Sequence, residues 1–98
     1  MLEVKYITMD CSIKQQSGNI ISNMDGNTVM MNIEKGKYYN LGEIGGEIWN
    51  LVEKWVSVPE VIEQLVSEYH VDEAGCQDQV LNFLEHLKKE GLIEIKKV

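Results

Sequence analysis

The chain has 98 residues, of which 44% are hydrophobic and 26% charged, the composition of an ordinary globular protein with one domain. Its 16 acidic and 9 basic side chains give a formal net charge of −7, which repels phosphate backbones and anionic lipid surfaces. Neither nucleic acid nor a membrane is therefore expected as a partner. We expect a cytoplasmic protein, because residues 1–12 carry charges where a signal peptide would have an apolar core.

The first 17 residues are predicted to form an N-terminal arm or an extra strand. Hydrophobic residues alternate weakly along 2–13, and a polar stretch at 15–18 then interrupts the pattern. The alternating residues are Ile7, Met9, Cys11 and Ile13. We take residues 18–98 as the main domain.

Three strands are predicted next, from alternating hydrophobicity and from the turns between them. Asp25-Gly26 favours a tight hairpin turn, and Glu34-Lys35-Gly36 is a second turn. The predicted strands are 19–24, 27–33 and 37–41. Strands that follow one another in this way form an antiparallel meander with two open edges. We predict that the core face of the second strand consists of Val29, Met31 and Ile33.

The hydrophobic spacing changes from two to about 3.6 at Gly42, which predicts a helix over 43–54 with Gly42 as its N-cap. Gly45 and Gly46 lie inside this helix, where each glycine costs about 1 kcal/mol relative to alanine. We therefore expect a neighbouring element to pack closely against them. The predicted buried stripe is Ile44, Ile48, Leu51, Val52 and Trp55, and Trp49 is expected beside it in the core.

Two further helices are predicted from their caps. Ser57-Val58-Pro59-Glu60 has the form of a capping box, and the helix that it starts ends at His70-Val71. Asp72 is predicted to cap a third helix, which Gly91 ends, and residues 92–95 form a last extended piece. The predicted core stripe of the third helix is Cys76, Val80, Phe83, Leu84 and Leu87. Leu81 lies one residue step, about 100°, from that stripe.

The predicted order of elements is that of an α+β protein, in which a three-stranded antiparallel sheet precedes three helices. This arrangement resembles a winged helix-turn-helix, which does not by itself decide function. Neither Cys11 nor Cys76 belongs to a C-x-x-C pair, and neither His70 nor His86 lies in a catalytic motif. We therefore expect a protein that is not an enzyme and that has no metal site and no cofactor.

One run of the chain resembles the PqqD-like family of small peptide-binding domains, also called RiPP recognition elements. The residues that carry this resemblance are Tyr38-Tyr39, Leu41, Gly45 and Ile48-Trp49. It continues as far as Gly91-Leu92-Ile93 and covers roughly residues 18–96. The family usually has Asn after the Leu, where this chain has Gly42.

The resemblance implies that the chain binds the leader segment of a ribosomally made precursor peptide. The leader would be added as a strand along the third strand, in a groove whose other wall is the third helix. On this chain the strand residues are Lys37, Tyr38, Tyr39 and Asn40. The helix residues are Val80, Leu81, Leu84 and Lys88. This hypothesis requires that the outer edge of the third strand is not covered by the N-terminal arm.

Within the family, the chain is most similar to the stand-alone recognition proteins of lasso-peptide pathways. This implies a separate leader peptidase and an ATP-dependent cyclase as partners, since no enzyme domain accompanies the predicted elements. A PqqD-type partner of a radical SAM enzyme, in redox-cofactor or sactipeptide biosynthesis, is the alternative. An unpaired strand edge also permits strand exchange, so we expect a monomer or a strand-exchanged dimer.

A winged-helix DNA-binding regulator is a more remote alternative with the same fold outline. It requires a basic third helix to contact phosphates. Residues 73–90 instead contain four acidic side chains against two lysines.

Overall fold

The computed structural model describes residues 6–97, which form two small antiparallel sheets and three helices. The strands are β1 (Cys11–Gln15), β2 (Asn19–Met24), β3 (Asn27–Asn32), β4 (Lys37–Leu41), β5 (Val56–Ser57) and β6 (Ile93–Lys97). The helices are α1 (Gly42–Leu51), α2 (Val58–Tyr69) and α3 (Glu73–Lys89). The α+β class is as predicted, and so is the order of three meander strands before three helices. The strand β5 and the second sheet, to which it belongs, were not predicted.

One sheet joins the two ends of the described chain. β1 lies at its centre, between β5 and β6, and both neighbours are antiparallel to it. Ile13 pairs with Ile95 on one side and with Val56 on the other, and its side chain is buried. The predicted arm thus contributes a strand at 11–15, whereas residues 1–5 of that arm lie outside the described residues.

The other sheet is the predicted meander, in the order β2-β3-β4, with strand bounds within one residue of those predicted. The predicted core face of β3 is wrong, however. Met30 is buried with Thr28 and Asn32, whereas Ile33 is 59% exposed. Polar side chains are tolerated on the buried face because they are hydrogen-bonded. The Asn32 Nδ2 group donates to Asn19 Oδ1 at 2.8 Å, and Thr28 Oγ1 donates to Asn23 Oδ1 at 3.2 Å.

Helix α1 covers the buried face of β3, and the two glycines make this contact possible. A Cβ atom on Gly46 would overlap Thr28 Oγ1 and would lie 2.7 Å from Thr28 Cβ. A Cβ atom on Gly45 would lie 3.0 Å from Phe83 Cε1. The prediction that a neighbouring element packs closely against these glycines is confirmed.

Helix α1 is shorter than predicted, and its ends differ from the prediction. Its N-cap is Leu41, and Gly42 has a φ of +74°, in the left-handed region that glycine adopts readily. The helix ends at Leu51. Of the predicted stripe, Ile48 and Val52 are buried and Leu51 is half-buried. Ile44 and Trp55 are exposed, and the Lys96 ammonium group lies 4.4 Å from the centroid of the Trp55 ring.

The caps predicted for the other two helices are present. Ser57 Oγ accepts a hydrogen bond from the Glu60 N–H at 3.3 Å, and Asp72 Oδ2 accepts one from the Gly75 N–H at 2.8 Å. Gly91 follows the end of α3 with a φ of +73°. The buried stripe of α3 is Cys76, Val80, Leu84 and Leu87. None of the helices within 6–97 is long and apolar enough to cross a bilayer.

Candidate functional site

One edge of strand β4 is unpaired within the described residues 6–97. The strand pairs with β3, with Tyr38 opposite Met31 and Tyr39 opposite Met30, and within residues 6–97 no strand pairs with its other side. The N-terminal strand β1, which was the obvious candidate to cover this edge, belongs to the other sheet. An edge strand presents unpaired N–H and C=O groups to which an extended peptide can bind.

The four predicted strand residues all lie on this edge strand. Tyr38 is 72% exposed, and Lys37 and Asn40 are also exposed. Tyr39 points to the opposite face of the sheet from Tyr38, where it is half-buried against the core.

The end of α3 is attached to the start of β4 through Glu90. The Tyr39 hydroxyl donates a hydrogen bond to Glu90 Oε1 at 2.9 Å, and the Lys37 ammonium lies 3.6 Å from the same oxygen. Lys35 donates to the Glu90 backbone carbonyl. The Tyr39 hydrogen bond, aided by the nearby lysines and His86, lowers the pKa of Glu90. Burial, followed by the contact with Glu90, raises the pKa of Tyr39.

These contacts identify the flank of α3 that faces β4. At about 100° per residue, Phe83 and His86 share one side of the helix with Glu90. Phe83 also approaches Gly45, at the point where α1 begins after β4. The gap between β4 and α3 is therefore bordered by Phe83, His86 and Glu90.

The four predicted helix residues lie in two places, on the other flank of α3 and on its buried stripe. Leu81 and Lys88 share the other flank of α3 with Glu85, which accepts a hydrogen bond from the Ile7 N–H at 3.0 Å. The Lys88 ammonium lies 5.9 Å from the centroid of the Tyr6 ring, so this flank faces the N-terminal segment. Val80 and Leu84 are only 1% and 0% exposed, and Val80 also lines an apolar pocket at the end of β4.

The reason for the difference is geometric. Leu81 and Phe83 lie on either side of the buried stripe of α3, about 200° apart around the helix, and we call these two positions its shoulders. Helical periodicity identifies both shoulders but does not say which of them faces β4. Phe83 was predicted to belong to the core stripe, and it is half-buried, packed against the core on the flank that Glu90 shares.

An apolar pocket of about 370 Å³ opens beside the far end of β4. It lies between α1, the second half of α2 and the first two thirds of α3. Its apolar lining includes Ile44, Ile48, Val71, Cys76 and Phe83, together with the ring of Tyr69. It adjoins β4 because Phe83 and Leu41 both approach Gly45.

The sequence analysis did not identify this pocket. Ile44 continues the stripe of α1 by one helical turn and was predicted to be buried, but it is 43% exposed at the pocket. Val71 was read only as the end of the second helix. No local pattern distinguishes these positions from core positions, because the pocket exists where three separate helices diverge.

The pocket contains one cysteine, Cys76. Burial, with a smaller contribution from Glu73, raises the pKa of the Cys76 thiol, so the pocket's cysteine is a poor nucleophile at neutral pH. Within the described part of the chain, no group of three or more His, Cys, Asp or Glu side chains is placed to hold a metal ion. Within residues 6–97, the features brought together here are the unpaired edge of β4, one flank of α3 and an apolar pocket.

Comparison with known proteins gives a consistent result. Residues 27–93 match the family model of coenzyme PQQ synthesis protein D, PqqD. No curated protein is significantly similar to the chain.

Three solved structures share the fold. TbiB1 in complex with the TbiA(beta) leader peptide is 26% identical, with a TM-score of 0.73, over 83% of this chain and 94% of that chain. A lasso peptide synthetase B1 complexed with its leader peptide is 20% identical, with a TM-score of 0.72, over 84% and 96%. The PqqD truncation of Methylobacterium extorquens PqqCD, a stand-alone RiPP recognition element, is 18% identical, with a TM-score of 0.71, over 85% and 88%.

Proposed function

Because this chain belongs to the family of coenzyme PQQ synthesis protein D, we propose that it is a recognition protein for the leader segment of a ribosomally made precursor peptide. The observation that carries the proposal is the free edge of β4 with an apolar pocket at its end. TbiB1, which is similar over most of its length, was solved with a leader peptide.

The leader binds as an added strand. Backbone groups of the leader pair with those of β4, whose five residues offer about 17 Å of edge. Leader side chains alternate between the two faces of the enlarged sheet, so every second one points towards α3. There the half-buried Phe83 and the exposed His86 form the helix wall, and the pocket receives an apolar side chain at the Leu41 end.

Separate enzymes act on the bound precursor. We propose that the chain is not itself catalytic and that it delivers the precursor to a leader peptidase and a cyclase in lasso-peptide biosynthesis. Two of the similar structures are leader complexes, one of them of a lasso peptide synthetase, which supports this pathway. Since ribosomes make the precursor in the cytoplasm, we expect the chain to act there.

The PqqD-type role, as partner of a radical SAM enzyme, is the second candidate. The family model and the similarity to the Methylobacterium extorquens domain favour it. The genes beside this one discriminate the two, since the first requires a peptidase and a cyclase and the second a radical enzyme.

The direct test is a titration of the chain with the leader of a short precursor encoded next to its gene. Two exposed isoleucines provide matched variants, because Ile44→Glu changes the pocket and Ile33→Glu changes the turn after β3. Filling a pocket with one aliphatic side chain is worth about 1.5–3 kcal/mol, so we expect Ile44→Glu to weaken binding at least about tenfold. Ile33→Glu should change the dissociation constant less than about twofold.

The helix wall has its own pair of variants. Phe83→Ala and Leu81→Ala each truncate a half-buried side chain of α3, on opposite flanks. We expect Phe83→Ala to weaken leader binding and Leu81→Ala to leave it unchanged, in proteins whose folding is checked by circular dichroism. The reverse result would return the wall to the flank of Leu81 and Lys88. Absence of binding to the native chain would contradict the proposed function itself.

A further inference from the structure

One acidic side chain, that of Asp72, lines the apolar pocket, and three glutamates lie next to lining residues in the sequence. Glu43 directly precedes Ile44, and Glu47 directly precedes Ile48, both of which line the pocket. Glu68 directly precedes Tyr69 at the end of α2. Burial, and after it the charges of Glu47, Glu68 and Glu43, raise the pKa of the Tyr69 hydroxyl, so all three carboxylates act on a ring that lines the pocket.

No positive charge offsets these carboxylates at the pocket. Asp72 is the charged residue among the described lining residues of the pocket, which include no lysine. The salt bridges found within 6–97 involve neither Glu43, Glu47 nor Glu68. Lys35 and Lys37 lie at the start of β4, at the end away from the pocket, where they contact Glu90.

Resting on the proposed function, we propose that the pocket selects leader segments in which the apolar side chain that enters it is flanked by lysine or arginine. The occupant is then a cationic and apolar stretch of the precursor's leader. A cation beside the anchor lies among several uncompensated carboxylates, whereas an anion there is repelled by all of them. The pocket itself supplies the apolar contact, and the charges decide which leader fits.

The experiment begins with a displayed library of random 12-residue peptides, selected on the full chain. We expect enriched peptides to carry Lys or Arg next to a large apolar residue at least about threefold more often than the input, and Asp or Glu less often, as several exposed ion pairs acting together predict. An enriched set without this bias overturns the inference while supporting the proposed function.

A second arm uses two triple variants that change the net charge equally. The pocket triple is Glu43→Gln, Glu47→Gln and Glu68→Gln. The control triple is Glu53→Gln, Glu63→Gln and Glu94→Gln, at exposed positions that do not line this pocket. The probes are one enriched peptide with its flanking cation intact and the same peptide with that cation replaced by alanine.

We expect the pocket triple to weaken binding of the cationic peptide about threefold to tenfold in about 50 mM NaCl, and less in about 500 mM NaCl, where screening is stronger. Binding of the alanine peptide should stay within about twofold, as should both peptides on the control triple. Equal effects of the two triple variants would show that binding depends only on the net charge of the chain, and this would overturn the inference. Failure of the native chain to enrich any peptide would contradict the proposed function, and this inference with it.

Discussion

At the scale of single residues, the close contact between α1 and β3 depends on the missing side chain of Gly46. A methyl group there would overlap the Thr28 side chain, which is itself held by its hydrogen bond to Asn23. Alanine favours a helix over glycine by about 1 kcal/mol, but overpacking of a rigid contact typically costs about 1–3 kcal/mol. Packing therefore outweighs helix propensity at this position.

We accordingly expect Gly46→Ala to lower the free energy of unfolding, measured by urea denaturation. Gly75→Ala is the matched control within α3, because a methyl group there would lie 3.4 Å from Asp72 Oδ2, an ordinary contact. It should be neutral or stabilising by up to about 1 kcal/mol. A Gly46→Ala protein as stable as the native chain would show that α1 and β3 can separate at little cost.

The bond between Tyr39 and Glu90 should be visible in a pH titration. Its hydrogen bond is the largest influence that lowers the pKa of Glu90, so Tyr39→Phe should raise that pKa towards the ordinary value of about 4.3. NMR detection of the Glu90 side-chain carboxyl carbon measures the change directly. Tyr38→Phe, on the opposite face of β4, is the control and should leave the pKa of Glu90 where it is.

The sign of the stability effect follows from the same shift. The pKa of Glu90 is lower in the folded chain than in the unfolded chain. Its contribution to stability is therefore fully present when the pH is above its pKa in the unfolded chain. That contribution is lost as the pH falls through the folded pKa. Lowering the pH should therefore reduce the free energy of unfolding of the native chain more than that of the Tyr39→Phe protein. An equal reduction in the two proteins would contradict the hydrogen bond between Tyr39 and Glu90.

At the scale of elements, the free edge of β4 determines how a leader binds. A strand directs its backbone hydrogen-bonding groups alternately to its two sides, so only every second leader amide can pair with β4. Two leader peptides test this arrangement. One phase carries N-methyl groups at every odd-numbered amide, and the other phase carries them at every even-numbered amide.

We expect one phase to weaken binding at least about tenfold, because each blocked pair loses a backbone bond and leaves a partner unsatisfied. The other phase should bind nearly as well as the unmodified peptide, in titrations followed by fluorescence anisotropy. Equal binding of the two phases would exclude strand addition, even if the leader still bound to the chain.

At the scale of the whole molecule, the two sheets have separate roles. The sheet β5-β1-β6 holds the two ends of the described chain together, whereas β2-β3-β4 presents the free edge beside α3. The structure describes one edge next to the pocket, so one chain should bind one leader.

We expect size-exclusion chromatography with light scattering to give a complex of one chain and one leader. A dimer formed by strand exchange through β4 uses the same edge, so saturating leader should dissociate it. A dimer that persists with a full complement of leader would show that the copies meet at another surface, such as the outer edge of β2, which is also unpaired within 6–97.

The sequence by itself determined the meander, the three helices and their order, and enough of the pattern to identify the family. Alternation and the Asp25-Gly26 turn located the meander, and the side chains of Ser57 and Asp72 located the starts of two helices. These features were predictable because each depends on residues within a few positions of one another.

Only the tertiary structure decided which faces of those elements meet. The buried face of β3 carries Thr28 and Asn32 because hydrogen bonds satisfy them and Gly46 makes room, which hydrophobicity alone does not reveal. Likewise, Phe83 and not Leu81 borders the gap beside β4, and the pocket forms only where α1, α2 and α3 diverge. A repeat along one element specifies a stripe and its two shoulders. The neighbour that each shoulder meets depends on contacts between residues far apart in the chain.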